Sequence, residues 1–234
     1  MNYRQRLVIL CRGDADHIHS WLQEEGNRWF AFCCVVTIVG SSVYGASVGL
    51  WHHPLQAAYG AIKFPLLIFG TVLGNAALNG MLAQVLGLPL TFRQTSLAIL
   101  MSFVIVALIL LALAPISFFL ALNAPPPWSV SRMQAYSVIL LTHVVVIAYV
   151  GVVSNVRLFQ LLEKCNGSRA KAMRVLFAWL AGNMFFGTQL SWIISPFIGD
   201  PKRPVMFIQD RILEQNFFEY AWERFMDLLS LPTQ

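Results

Sequence analysis

Gln189-Leu-Ser-Trp192-Ile-Ile-Ser195-Pro196-Phe197-Ile-Gly199-Asp200-Pro201 closes the last long apolar run of the chain and hands it to a short tail. Trp192 is a residue type that settles at a headgroup boundary. Pro196, Gly199 and Pro201 stop a helix there. The run they end, Val175–Ile198, is long enough to cross about 30 Å of hydrocarbon, which takes about 20 apolar residues.

Four more such runs precede it. Trp29–Leu50 is rich in small residues (Gly40, Ser41, Ser42, Gly45, Gly49), which let helix backbones approach, so it reads as a packing helix. Phe64–Leu86 carries Gly70 and Gly74 with a polar face of Asn75 and Asn79. Pro65 separates it from a short interfacial helix, Leu55–Lys63. Leu97–Leu122 is the most uniformly apolar, and on that ground is expected to face lipid most. Ser137–Phe159 contains His143 and Asn155.

Composition agrees. Of 234 residues, 57% are hydrophobic and 12% charged, where a soluble domain carries about 25% charged. The mean hydropathy is +0.64. The fold class is therefore all-α, a polytopic transmembrane bundle of about five spans with a short amphipathic helix at each end. Residues 1–28 form a cytoplasmic extension, 29–198 the membrane domain and 199–234 an amphipathic tail. In the extension, Gly13 breaks the chain and Asp14 or Asp16 caps a helix. Its Ile18, Trp21 and Leu22 share one face, expected to lie on the membrane surface. In the tail, Asn216 and Glu219 have capping-box spacing, and Phe218, Trp222, Phe225 and Leu229 share a face.

Basic residues cluster in the extension and in the fourth-to-fifth connection (Arg157, Lys164, Arg169, Lys171, Arg174). The positive-inside rule then places the N-terminus in the cytoplasm and the C-terminus outside, with a bacterial cytoplasmic membrane as the default. The net charge of +5 comes with no basic run interleaved with aromatics, so nucleic acid is not an expected partner.

No Asp or Glu occurs between Glu25 and Glu163, nor between Glu163 and Asp200. The spans thus carry no carboxylate, the group that proton relays and intramembrane metal centres rely on. The Asp14-Ala-Asp16-His17-Ile-His19 string has poor ligand spacing, because His17 and His19 point apart on a helix. No metal, cofactor or catalytic residue is expected. The four cysteines show no C-x-x-C pair and read as free thiols.

Two sets of residues remain as candidates. A polar intramembrane cluster could form from Asn75, Asn79, His143, Asn183 and Gln189, with His143 bonding an amide of a neighbouring helix. Lipid or partner contact could fall to Lys63, snorkelling to lipid phosphate, and to Trp192, Pro196, Phe197, Phe218, Trp222 and Phe225.

Residues 189–201, followed by Asn216-Phe217-Phe218, resemble a marker of a group of uncharacterised bacterial multi-span proteins. Ala61-Ile-Lys63-Phe-Pro65-Leu-Leu resembles their second marker. In that group an arginine often precedes the Pro-Phe pair, where this chain has Ser195. The group is loosely similar to the Yip family of five-span proteins, which implies a role in membrane traffic by analogy of fold alone. The resulting expectation is a non-enzymatic membrane scaffold or complex subunit that binds membrane lipid, a membrane-protein partner or further copies of itself. The alternative is a transport or pore-forming component for a small solute or lipid, using the asparagine face.

Overall fold

The structure is a computed structural model describing residues 2–23, 27–85, 91–208, 216–219 and 222, without the side chains of 76–79, 83, 84 and 166. Among the described residues the regular structure is entirely helical. Two short helices, α1 (Tyr3–Arg12) and α2 (Ala15–Leu22), precede five long ones: α3 (Asn27–Leu50), α4 (Pro54–Val85), α5 (Phe92–Asn123), α6 (Arg132–Asn166) and α7 (Arg169–Ile194). α3 to α6 are each long and apolar enough to cross a membrane. α7, at 26 residues, is about 39 Å long, and Asn183, Thr188, Gln189 and Ser191 lower its hydropathy. The chain is an all-α membrane protein of about five spans.

Neighbouring pairs α4–α5, α5–α6, α6–α7 and α7–α4 complete a ring, and α3 packs broadly on both α4 and α5. Glycine makes the α3 contacts close. A Cβ on Gly45 would strike the Gly60 carbonyl of α4, and a Cβ on Gly40 the Ala107 carbonyl of α5. Small residues in α3 therefore serve packing, as their pattern predicts. On the far side of α4, Gly70 and Gly74 receive Leu190 and Phe186 of α7.

Three expectations are corrected. Pro65 does not end a helix: α4 runs unbroken from Pro54 to Val85. Proline costs one helical hydrogen bond, but α4 is clamped between α3 and α7, and in membranes packing tolerates such a break. Next, α5 is not the lipid-facing helix. Within its apolar window 56% of residues are buried, against 22% in α6. Hydropathy cannot separate the two cases, since lipid tails are as apolar as a leucine-lined core.

The third correction concerns α2. Gly13 adopts φ +74° and ends α1, and the Asp14 side chain accepts the His17 backbone N–H at 3.3 Å, as the spacing predicts. Ile18, Trp21 and Leu22, however, do not rest on a membrane surface. They are buried in the same apolar cluster as Leu97, Met101, Leu158 and Leu162 of the bundle. Asp16 reaches Lys164 of α6 at 2.5 Å. The α1–α2 pair is a plug on the bundle's N-terminal end.

Candidate binding sites around the end of the last span

The two marker stretches meet in space. α7 ends at Ile194, and Ser195 Oγ donates to the Trp192 carbonyl at 2.8 Å. The chain leaves the helix at Ser195, which is extended, so its next carbonyls find no helical donors. α4 supplies them. Gln56 Nε2 donates to the Pro196 carbonyl at 2.9 Å and the Phe197 carbonyl at 3.1 Å, and Lys63 Nζ donates to the Pro196 carbonyl at 2.7 Å. Gln56 and Lys63 lie seven residues apart, two turns along one helix face.

Lys63 is 0% exposed, so it does not snorkel to a phosphate. Its ammonium is roofed by Pro196 and by Phe207, whose ring centroid lies 5.1 Å away. Among the described residues no carboxylate pairs with it. Phe197 packs edge-on against Phe64, and Phe64 against Tyr44, at 5.2 and 5.6 Å. Gly199 has φ +94°, and a Cβ there would overlap the His52 ring. Glycine is thus required for the loop to close on the α3–α4 turn. Burial, and then the neighbouring His53, hold the His52 pKa below its usual value, with Asp200 partly opposing. Gln56 Oε1 and His52 Nδ1 are buried without hydrogen-bond partners among the described residues.

His143 bonds away from the amides. His143 Nδ1 lies 2.7 Å from Tyr44 Oη, the rings perpendicular. The partner is therefore a phenol of α3 and not an asparagine. Asn75 is fully buried and donates to the Thr71 carbonyl of its own helix at 3.1 Å, with no partner for Oδ1 among the described residues. The Asn79 side chain lies outside the described residues. Asn183 Oδ1 on α7 is buried and has no hydrogen-bond partner among the described residues. Gln189 anchors the tail, its Oε1 accepting the Phe217 backbone N–H at 3.2 Å.

That anchor splits the outer face of α7 into two open grooves. One, about 530 Å³, is lined by Asn183, Met184, Thr188, Ser191, Trp192 and Phe217 among others. The other, about 600 Å³, lies between Phe185 and Gln189 of α7 and Asn216, Phe218, Glu219 and Trp222 of the tail. Phe218 stacks on Phe185 at 5.1 Å. Asn216 Oδ1 accepts the N–H groups of Phe218 and Glu219, and Glu219 Oε2 accepts that of Asn216, the capping box its spacing predicts. Phe225 lies outside the described residues.

Sequence reasoning missed Gln56 and Tyr44. The i, i+7 relation of Gln56 to Lys63 was the available signal. Tyr44 had none beyond being a polar-tipped aromatic in a small-residue helix. Comparison with protein-family models, with curated proteins and with solved structures returned no match.

Proposed function

We propose that the chain is a non-enzymatic membrane scaffold or complex subunit whose α7 face takes up a helix of a membrane-protein partner. One observation carries the reading. The groove lined by Asn183, Met184, Thr188, Ser191 and Trp192 opens outward along α7, with the polar side chains of Asn183, Thr188 and Ser191 set among small and apolar ones. Facing lipid, such a surface leaves polar groups unserved. Facing a helix, small residues admit a close backbone and amides and hydroxyls bond across the interface.

The pore reading draws less support. Asn75, central to it, is fully buried and bonded within α4. Kinship with the bacterial multi-span group, and more distantly with Yip-like proteins, belongs to the same proposal. It is supported by the two marker stretches forming one contact, from Lys63 to Pro196. A bacterial cytoplasmic membrane with the N-terminus inside remains the orientation favoured by the basic loops.

A photo-crosslinking residue at Ser191 tests the reading in native membranes, with Val145, 67% exposed on α6, as the lipid-facing control. The expected result is a discrete adduct with a second membrane protein at Ser191 alone, abolished by Thr188→Trp, which fills the groove. Lipid adducts only, at both positions, overturn it.

A further inference from the structure

We infer that the loop after α7 is an acid-released latch: protonation of His52 unseats Pro196–Gly199 from the α3–α4 turn and opens Lys63 to water. This goes beyond the partner-helix reading and shares no residue with that groove. The latch is seated on α4 and on the turn before it. Gln56 Nε2 and Lys63 Nζ hold the Pro196 carbonyl, Gln56 also holds that of Phe197, and Phe197 packs on Phe64. Gly199 lies so close on the His52 ring that an added Cβ would stand 2.5 Å from Nδ1. That Nδ1 is buried and has no hydrogen-bond partner among the described residues. An imidazolium carries a proton on both ring nitrogens. In the seated loop Nδ1 would then be a charged donor set against backbone, with no acceptor. Burial therefore favours the neutral ring, which is the direction of the His52 shift.

The described groups around His52 do not neutralise a cation there. Asp200, in the loop, attracts the proton, but its carboxylate already accepts the Lys202 N–H at 2.9 Å and lies 3.4 Å from Arg203 Nε. His53, next in the turn, opposes a charge on His52, and its own Nδ1 accepts the Leu55 N–H at 3.1 Å. Tyr136 of α6, whose ring lies 6.3 Å from that of Trp51, is neutral at these pH values. On α4 the charged group under the same loop is Lys63, itself a cation at zero exposure. Opening hydrates both cations, and this gain offsets the hydrogen bonds that the loop gives up. The corner thus has two arrangements that a single proton biases. In the open one His52 regains its ordinary pKa of about 6.5. The closed state binds the proton less tightly, so opening rises as pH falls below about 6.5, by up to about tenfold per unit, until the closed-state value is reached. The orientation proposed above puts the corner outside, and external acidity is then the signal.

Double electron–electron resonance on the full chain in lipid nanodiscs tests this. The four native cysteines are replaced, and spin labels are placed at Leu66→Cys on α4 and Pro204→Cys beyond the loop, both exposed positions. At pH 7.5 one short distance is expected. At pH 5.5 a second, longer distance appears, its ratio to the first raised about tenfold, and it vanishes on return to pH 7.5. His52→Gln should keep the short distance at pH 7.5 and lose the rise at pH 5.5. His53→Asn and Asp200→Asn should keep the rise. Distances that do not move with pH in the labelled chain overturn the inference. So does a rise that survives in His52→Gln, or one that disappears in His53→Asn or Asp200→Asn. None of these outcomes bears on the Ser191 crosslink, so the two readings fail separately.

Discussion

Lys63 is an ammonium at zero exposure whose described hydrogen-bond partner is the Pro196 carbonyl. Burying a charge without a counter-ion costs several kcal/mol. The same carbonyl also receives Gln56 Nε2, so Lys63→Met leaves it served. Thermal unfolding of Lys63→Met, followed through the fully buried Cys33 thiol with a thiol-reactive dye after Cys11, Cys34 and Cys165 are replaced by serine, should show unchanged or raised stability, by up to about 2 kcal/mol. Gln56→Leu should lose about 1–3 kcal/mol, because the Phe197 carbonyl then loses the donor Gln56 gives it. A large loss in Lys63→Met would show that the lysine is a structural keystone. His52 gives a pH prediction in the same corner. Its folded pKa lies below the unfolded value because burial favours the neutral ring. The stability it contributes is therefore present above the unfolded pKa, about 6.5, and is lost as pH falls through the depressed folded value. The melting temperature should drop between pH 7.5 and 5, and drop less in His52→Gln.

At the scale of elements, the helix contacts are of two kinds that the same residue type marks differently. Gly45 faces the Gly60 carbonyl with no room for a methyl group, whereas Gly151 of α6 has nothing within 4 Å of an added Cβ. Gly45→Ala must push α3 from α4 and should cost about 1–3 kcal/mol. Gly151→Ala should be neutral or stabilising by about 0.5–1 kcal/mol, since glycine is a poor helix former. Equal effects in a denaturant titration of the two variants would contradict the packing described for α3. Helix pairs are also tied by polar contacts, Tyr44 with His143 and Ser47 with Ser117 at 2.8 Å. Such bonds contribute about 0.6 kcal/mol each in membranes, which is modest beside the close backbone packing.

On the scale of the molecule, the N-terminal plug makes the bundle one unit from end to end. Leu10, Ile18, Trp21 and Leu22 are all at most 4% exposed. Trp21→Ala should cost about 3–5 kcal/mol and raise hydrogen exchange at the adjoining ends of α5 and α6. A membrane-surface helix would show no such loss. The sequence by itself determined the helical membrane class, the apolar run at the heart of each long helix, the Gly13–Asp14 break and the capping box at Asn216. Each of these is written in local composition, in the length of apolar runs or in side-chain-to-backbone bonds spanning three residues. Only the tertiary structure decided which helix is buried, that α4 passes through Pro65, that His143 meets Tyr44, and that Lys63 turns inward to the Pro196 carbonyl. In a bilayer both the core and the surroundings are apolar, so hydropathy marks the spans and is silent on their neighbours. The partner of a buried polar group lies tens of residues away along the chain, where only packing can bring it.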